Sequence, residues 1–187
     1  MFFDFCTSLP ESADVDEIFR KISQAFADEG RLLQYLRATE LIGSFTQGLS
    51  MVVLLGNNPV GHTKLVRLTE YDSPGGEWYE LGSTWIHPEY RRRHLAVQLY
   101  ERFLQIHDDK NILTTTTSAA AQGVGEKLGF VTVERKKLPE KVWTASCTCP
   151  KWRTGVDDNA QCLLAYGEMQ QSGGPCWFSV TRSTALR

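Results

Sequence analysis

The chain has 187 residues, 42% apolar and 22% charged, with a formal net charge of −2. This length and balance suit a single globular domain, residues 1–187, with a core of its own. There is no basic surplus to favour nucleic acid, and no apolar run approaches the roughly 18 residues that span a bilayer, so neither is expected as a partner.

The N-terminus carries acids where an export signal needs cations, so a cytoplasmic location is expected. The five cysteines, Cys6, Cys147, Cys149, Cys162 and Cys176, then read as thiols. In chain order, residues 2–6 form a short apolar-rich opening strand. Val15, Ile18, Phe19, Ile22 and Phe26 recur at helical spacing, which predicts a helix over 14–27 with one buried face. Gly30 is a break, and Leu32, Leu33, Leu36, Leu41 and Ile42 predict a second helix. Residues 50–55 and 60–68 are β-prone runs around Gly56, Asn57, Asn58 and Pro59, a hairpin pattern.

After turn residues 73–76 a third strand is predicted over 78–87, halted by Pro88, which has no N–H to donate to a ladder. The helix that follows places Leu95, Leu99, Phe103 and Ile106 on one side. Residues 111–117 are β-branched and read as a strand. Residues 119–128 read as a short helix ended by Gly129, and 130–135 as another strand. Beyond Pro139, residues 142–149, 162–166 and 177–181 read as strands, with a polar loop-like stretch over 150–160. The sum is one mixed sheet with helices on both faces.

Chemistry concentrates in Trp85-Ile86-His87-Pro88-Glu89-Tyr90-Arg91-Arg92-Arg93-His94-Leu95-Ala96. A strand ends, a basic turn follows and a helix begins. The first N–H groups of a helix have no partner inside it, and the helix dipole adds about half a positive charge there. That arrangement takes anions, phosphates above all, and three consecutive arginines add full charges. A solvated basic turn capping an ordinary helix explains the same residues, so the segment alone leaves both open.

The segment resembles motif A of the GNAT superfamily of N-acetyltransferases, written Arg/Gln-x-x-Gly-x-Gly/Ala. Arg91 fits its first position, Ala96 its last, and Ile86-x-Pro88-x-Tyr90-Arg91 its usual lead-in. Glu126-Lys127-Leu128-Gly129-Phe130 matches the family's second signature after the next strand and helix, so the resemblance covers about 50–135. It implies the α/β (α+β) fold of acyl-CoA N-acyltransferases: a central mixed, mostly antiparallel sheet of about six to seven strands with helices on both faces. Residues 136–187 would supply the last strands and tail.

It also implies transfer of an acetyl group from acetyl-CoA, as co-substrate, to a primary amine on a small molecule, peptide or protein. The amides of Arg91, Arg92, Arg93, His94, Leu95 and Ala96 would hold the CoA pyrophosphate. The main chain of Trp85, Ile86 and His87 would pair with the pantetheine arm. Glu80 matches the family's frequent general-base glutamate, with His87 as a second candidate and Glu77 a third. Ser118 stands where an Asn often contacts the cofactor, and can cap its helix as well.

Two positions depart from the pattern. His94 replaces the first motif glycine, and Gly125 occupies the place of the tyrosine that often protonates the leaving thiolate. Both admit an alternative, a catalytically weak GNAT-fold module that binds CoA or a protein partner. A homodimer is expected by resemblance. Cys147-x-Cys149, Cys162 and Cys176 are not paired as structural zinc ligands usually are, so no metal is expected. Trp143, Trp152, Trp177 and Phe178 either line the acceptor site or fill core, and Lys151 and Arg153 read as solvated. Nothing in the sequence names the amine acceptor.

Overall fold

The computed structural model describes residues 2–29, 36–70, 76–116, 118–133, 137–146 and 177–181. Their strands are β1 (Asp4–Cys6), β2 (Ser50–Leu55), β3 (Asn58–Arg67), β4 (Trp78–Ile86), β5 (Asn111–Thr116), β6 (Val131–Thr132) and β7 (Trp177–Val180). Their helices are α1 (Val15–Glu29), α2 (Ala38–Thr46), α3 (Leu95–Ile106), α4 (Ala119–Lys127) and α5 (Glu140–Ser146). The strands form one open mixed sheet in the order β1-β2-β3-β4-β5-β7-β6. Among the described residues no helix is long and apolar enough to cross a membrane. The chain divides into two compact units, Met1–Leu65 with Gly82–Asp108, and Val66–Leu81 with the described part of Asp109–Arg187.

In the first unit, Asp14 accepts the Glu17 amide at 3.0 Å and so opens α1. Ile18, Phe19, Ile22 and Phe26 then bury one helical face against Leu41 and Phe45 of α2, Val52 and Leu54 of β2, and Trp85 of β4. Each such side chain contributes about 1.5–3 kcal/mol on burial. α2 starts where the Glu40 carboxylate accepts the Arg37 amide at 2.7 Å. β2 and β3 close through the two residues Gly56 and Asn57, with Leu55 opposite Asn58. Gly56 has φ of 58° and Asn57 does not share it, which is the II′ arrangement that suits strand twist. The turn is tighter than the sequence suggested, and Asn58 and Pro59 belong to β3. Trp85 joins the α1–α2 core, while its neighbour Thr84 bonds the Tyr100 hydroxyl of α3 at 2.8 Å. Successive strand residues face opposite ways, so α3 lies across the sheet from α1 and α2.

The second unit repeats that logic. Phe178 and Val180 of β7 pack with Trp78, Leu113, Leu138, Val142 and Trp143, which covers one face with α5. Ser179 lies between them in sequence and bonds Gln122 of α4 at 3.3 Å, so α4 takes the other face. β4 and β5 run parallel, with Trp78, Tyr79 and Glu80 opposite Asn111, Ile112 and Leu113.

Three expectations are corrected. The strand expected over 142–149 is helical in its described part, because α5 starts directly after Pro139, whose carbonyl accepts the Val142 and Trp143 amides. A proline suits a helix start, and burial of Val142 and Trp143 on one face overrides their β preference. Ile106 was expected inside but is 53% exposed. The buried row continues from Leu95, Leu99 and Phe103 to His107 at steps of four, and Tyr100 joins it. The second helix begins at Ala38; Gly30, Leu32 and Leu33 lie outside the described residues. So do the expected strand at 162–166 and the end of that at 130–135, of which β6 is the described part.

Candidate functional site

Three groups of residues matter: the turn after β4, the Glu80 carboxyl, and the residues around α4. At the turn, His87 ends β4 by donating its amide to the Val60 carbonyl at 2.9 Å. Pro88–Tyr90 make one 3₁₀ turn, and α3 begins at Leu95. The first bond within α3 runs from the Gln98 amide to the His94 carbonyl at 3.1 Å. The amides from Arg92 to Val97 therefore donate to no group among the described residues. Arg92 and His94 both take left-handed backbone, with φ of 60° and 59°. Alternation of this kind turns successive N–H groups toward a common concavity, an anion-binding geometry. The turn takes this form without glycine, and His94 is exposed.

The three arginines divide their duties. The Arg91 guanidinium donates to the Ile86 carbonyl at 2.9 Å and pairs with the Glu29 carboxylate on α1. Its side chain therefore braces the strand end. Arg93 lies 5.8 Å from the centre of the Tyr90 ring, and Tyr90 in turn meets His87 and Phe3 edge-on or tilted, at 5.6 Å each. Arg92 is exposed and has no ion pair among the described residues.

Glu80 sits on β4 two residues after Trp78, on the face that Trp78 shares with Leu113 and Phe178. The Thr115 hydroxyl donates to its Oε1. Burial pushes the carboxyl up to about 7, and the Thr115 bond offsets part of that rise. A carboxyl poised near neutrality accepts a proton and returns it with little penalty, as a general base requires. Glu77 precedes β4 and is ion-paired with Arg67 at 3.3 Å.

His87 is half-buried and its Nδ1 accepts the Glu89 amide at 3.4 Å, so it serves as the cap of the 3₁₀ turn. Trp85 and Ile86 bury their side chains, and the Ile86 carbonyl is occupied by Arg91. Ser118 caps α4 by accepting the Ala121 amide at 3.3 Å. Gly125 is buried, and a Cβ built there would meet Phe130 at 3.6 Å, ordinary contact. The sequence did not single out Glu29 or Thr115. The strand–helix–strand order from 78 to 117, which favours parallel pairing, was the signal for Thr115; Glu29 had none. Trp143 and Phe178 fill core. Cys147, Cys149, Cys162 and Cys176 lie outside the described residues, as do Lys151, Trp152 and Arg153, and of Trp177 only the backbone is described. Cys6 is a free thiol that burial pushes up.

Comparison with known proteins points one way. The family model described as "Acetyltransferase (GNAT) family" matches residues 14–130. Comparison with the curated proteins finds no match. Among solved structures, the NatC complex bound to Gag peptide and CoA is similar with a TM-score of 0.61 at 14% identity, covering 97% of this chain and 98% of that one. A GNAT-family acetyltransferase from Staphylococcus aureus Mu50 gives 0.58 at 13% identity, covering 96% and 98%. N-acetylglutamate synthase from Neisseria gonorrhoeae, complexed with coenzyme A and N-acetyl-glutamate, gives 0.59 at 14% identity and 97% coverage of this chain. This chain spans 35% of that longer protein.

Proposed function

This chain belongs to the acetyltransferase (GNAT) family, and from that premise we propose that it moves an acetyl group from acetyl-CoA to a primary amine by direct attack. The observation that carries the proposal is the row of amides from Arg92 to Val97 at the start of α3, which have no partner among the described residues. They are the donors that a pyrophosphate needs, and Arg92 and Arg93 add mobile charge beside them. Arg91 contributes its backbone to the turn and holds it in place with its side chain. The main chain of Trp85, Ile86 and His87 would pair with the pantetheine arm, and Ser118 would add a hydroxyl at α4.

A neutral amine then attacks the thioester carbonyl. The N–C bond forms, Glu80 takes the amine proton, and the C–S bond breaks to release the CoA thiolate. Gly125 offers no phenol, so the thiolate takes its proton from water. His87, tied into the 3₁₀ turn, is the weaker base candidate. The acceptor is a primary amine of a small molecule, a peptide or a protein.

The first experiment titrates acetyl-CoA into the full chain by calorimetry, with Arg92→Ala/Arg93→Ala as the comparison. Micromolar binding that weakens about tenfold or more in the double variant supports the pyrophosphate turn. Release of CoA thiol is then followed with a panel of amines (a polyamine, free lysine, a peptide N-terminus), with Glu80→Gln expected to lose about 10²-fold or more in kcat. Absence of binding by the wild type sinks the proposal. Gly125 favours one second reading, a CoA-holding module with little catalysis, which predicts binding without thiol release.

A further inference from the structure

We propose that Thr115 is a positioning residue for Glu80: its hydroxyl fixes one carboxylate oxygen so that the other faces the incoming amine. This rests on the assignment of Glu80 as the base. Parallel pairing places Leu113 opposite Glu80. Thr115, two residues on, shares the face of Leu113, and its hydroxyl donates to Glu80 Oε1. The other side of β5 is locked to β7, with Thr115 opposite Phe178 and Leu113 opposite Val180. Threonine is stiff at χ1, so a backbone held in this register also holds the hydroxyl.

Among the described residues, Thr115 is the one polar group that bonds the carboxyl. Trp78 on β4, Leu113 on β5, Phe178 and Val180 on β7, and Val142 and Trp143 on α5 make up the apolar cluster of that face. Glu140 and Lys141 of α5 are exposed. Glu77 and Arg67 pair with each other, and Lys110 lies over the Tyr79 ring. Among the described residues no charged group contributes to the shift of Glu80; burial raises it and the Thr115 bond opposes that rise. Among the described residues nothing else bonds the carboxyl, so Oε2 remains for the amine proton. Thr115 keeps its own proton throughout and donates more strongly to the ionised form.

The test needs no knowledge of the acceptor. The glutamate side chains of the full chain are labelled with ¹³C and titrated by NMR in wild type, Thr115→Val, Thr115→Ala and Thr115→Ser, with Glu80→Gln assigning the resonance. Removal of a hydrogen bond to the charged form is expected to move the Glu80 midpoint upward by about one pH unit in the valine and alanine variants. Serine restores the wild-type midpoint. The acid limb of the kcat/KM profile, with whichever amine passes the screen, moves with it, while KM for acetyl-CoA stays put. Two non-bonding variants guard against a folding failure of either. An unchanged midpoint in a folded variant overturns the proposal whatever Glu80→Gln does. A moved midpoint with full activity of Glu80→Gln overturns the base assignment and the positioning role with it, but leaves the contact real.

Discussion

Arg92 and His94 hold backbone angles that most side chains avoid, and the chain tolerates both within three residues. A left-handed residue with a Cβ costs about 1–2 kcal/mol, and a glycine in the same place loses about 0.5–1 kcal/mol more chain entropy on folding. The net favours glycine at Arg92. Arg92→Gly is therefore expected to raise stability by about 0.5–1 kcal/mol, read as a later urea midpoint at unchanged slope. His94→Gly gains less, because histidine visits this region more readily than arginine does. Equal or lower stability for Arg92→Gly would mean that the arginine side chain makes a compensating contact. At this scale the basic turn was legible in the sequence, since three arginines before an amphipathic stretch mark a charged helix start. The Arg91–Glu29 pair was not, because it joins residues 62 apart that only the fold brings together.

Helices and strands were readable wherever one face is apolar and the ends carry turn residues. α1, β2 and α4 came out within a few residues for that reason. α5 was misread because Val142, Trp143 and Thr144 favour strands and only Pro139 spoke for a helix. α3 was placed correctly but turned slightly, since Ile106 is apolar and His107 is the residue that lies inward. Gly61 is the element-scale detail whose reason needs the structure. A Cβ there would meet Val53 of β2 and Ile86 of β4, both at 3.1 Å. Gly61→Ala forces these neighbours to give by a few tenths of an ångström in a tightly packed strand layer, at a cost of about 1–2 kcal/mol. Ile86→Val in the same background removes one of the two methyls met at 3.1 Å and is expected to recover part of the loss. A thermal melt of the wild type and the two variants checks this, and a single alanine change without effect would show that the layer is looser than its spacing implies.

A buried histidine and a half-buried carboxyl make a prediction about the molecule as a whole, because both act on the free energy of global unfolding. His62 is fully buried on β3, with Nδ1 against the Ser83 carbonyl at 3.0 Å, and burial pushes it down to about 4 from 6.5. As pH falls below 6.5 the unfolded chain protonates this histidine while the folded chain waits until about 4, so stability is lost on acidification. Glu80 acts in the opposite sense. As pH rises above 4.5 the unfolded chain releases its proton, while the folded chain keeps it until about 7, so stability is lost on raising pH. Between 4.5 and 6.5 each state holds one proton on this pair, and the two slopes cancel. Single substitutions uncover them. In Glu80→Gln stability is expected to climb with pH across that window by up to about 1.4 kcal/mol per pH unit relative to wild type, and in His62→Gln to fall by a similar amount. Urea unfolding of the full chain at several pH values gives the differences, in which the other titrating groups drop out. Parallel curves for wild type and Glu80→Gln would place the Glu80 carboxyl near its ordinary acidity in the folded chain, and would remove the near-neutral proton acceptor on which the proposed chemistry depends.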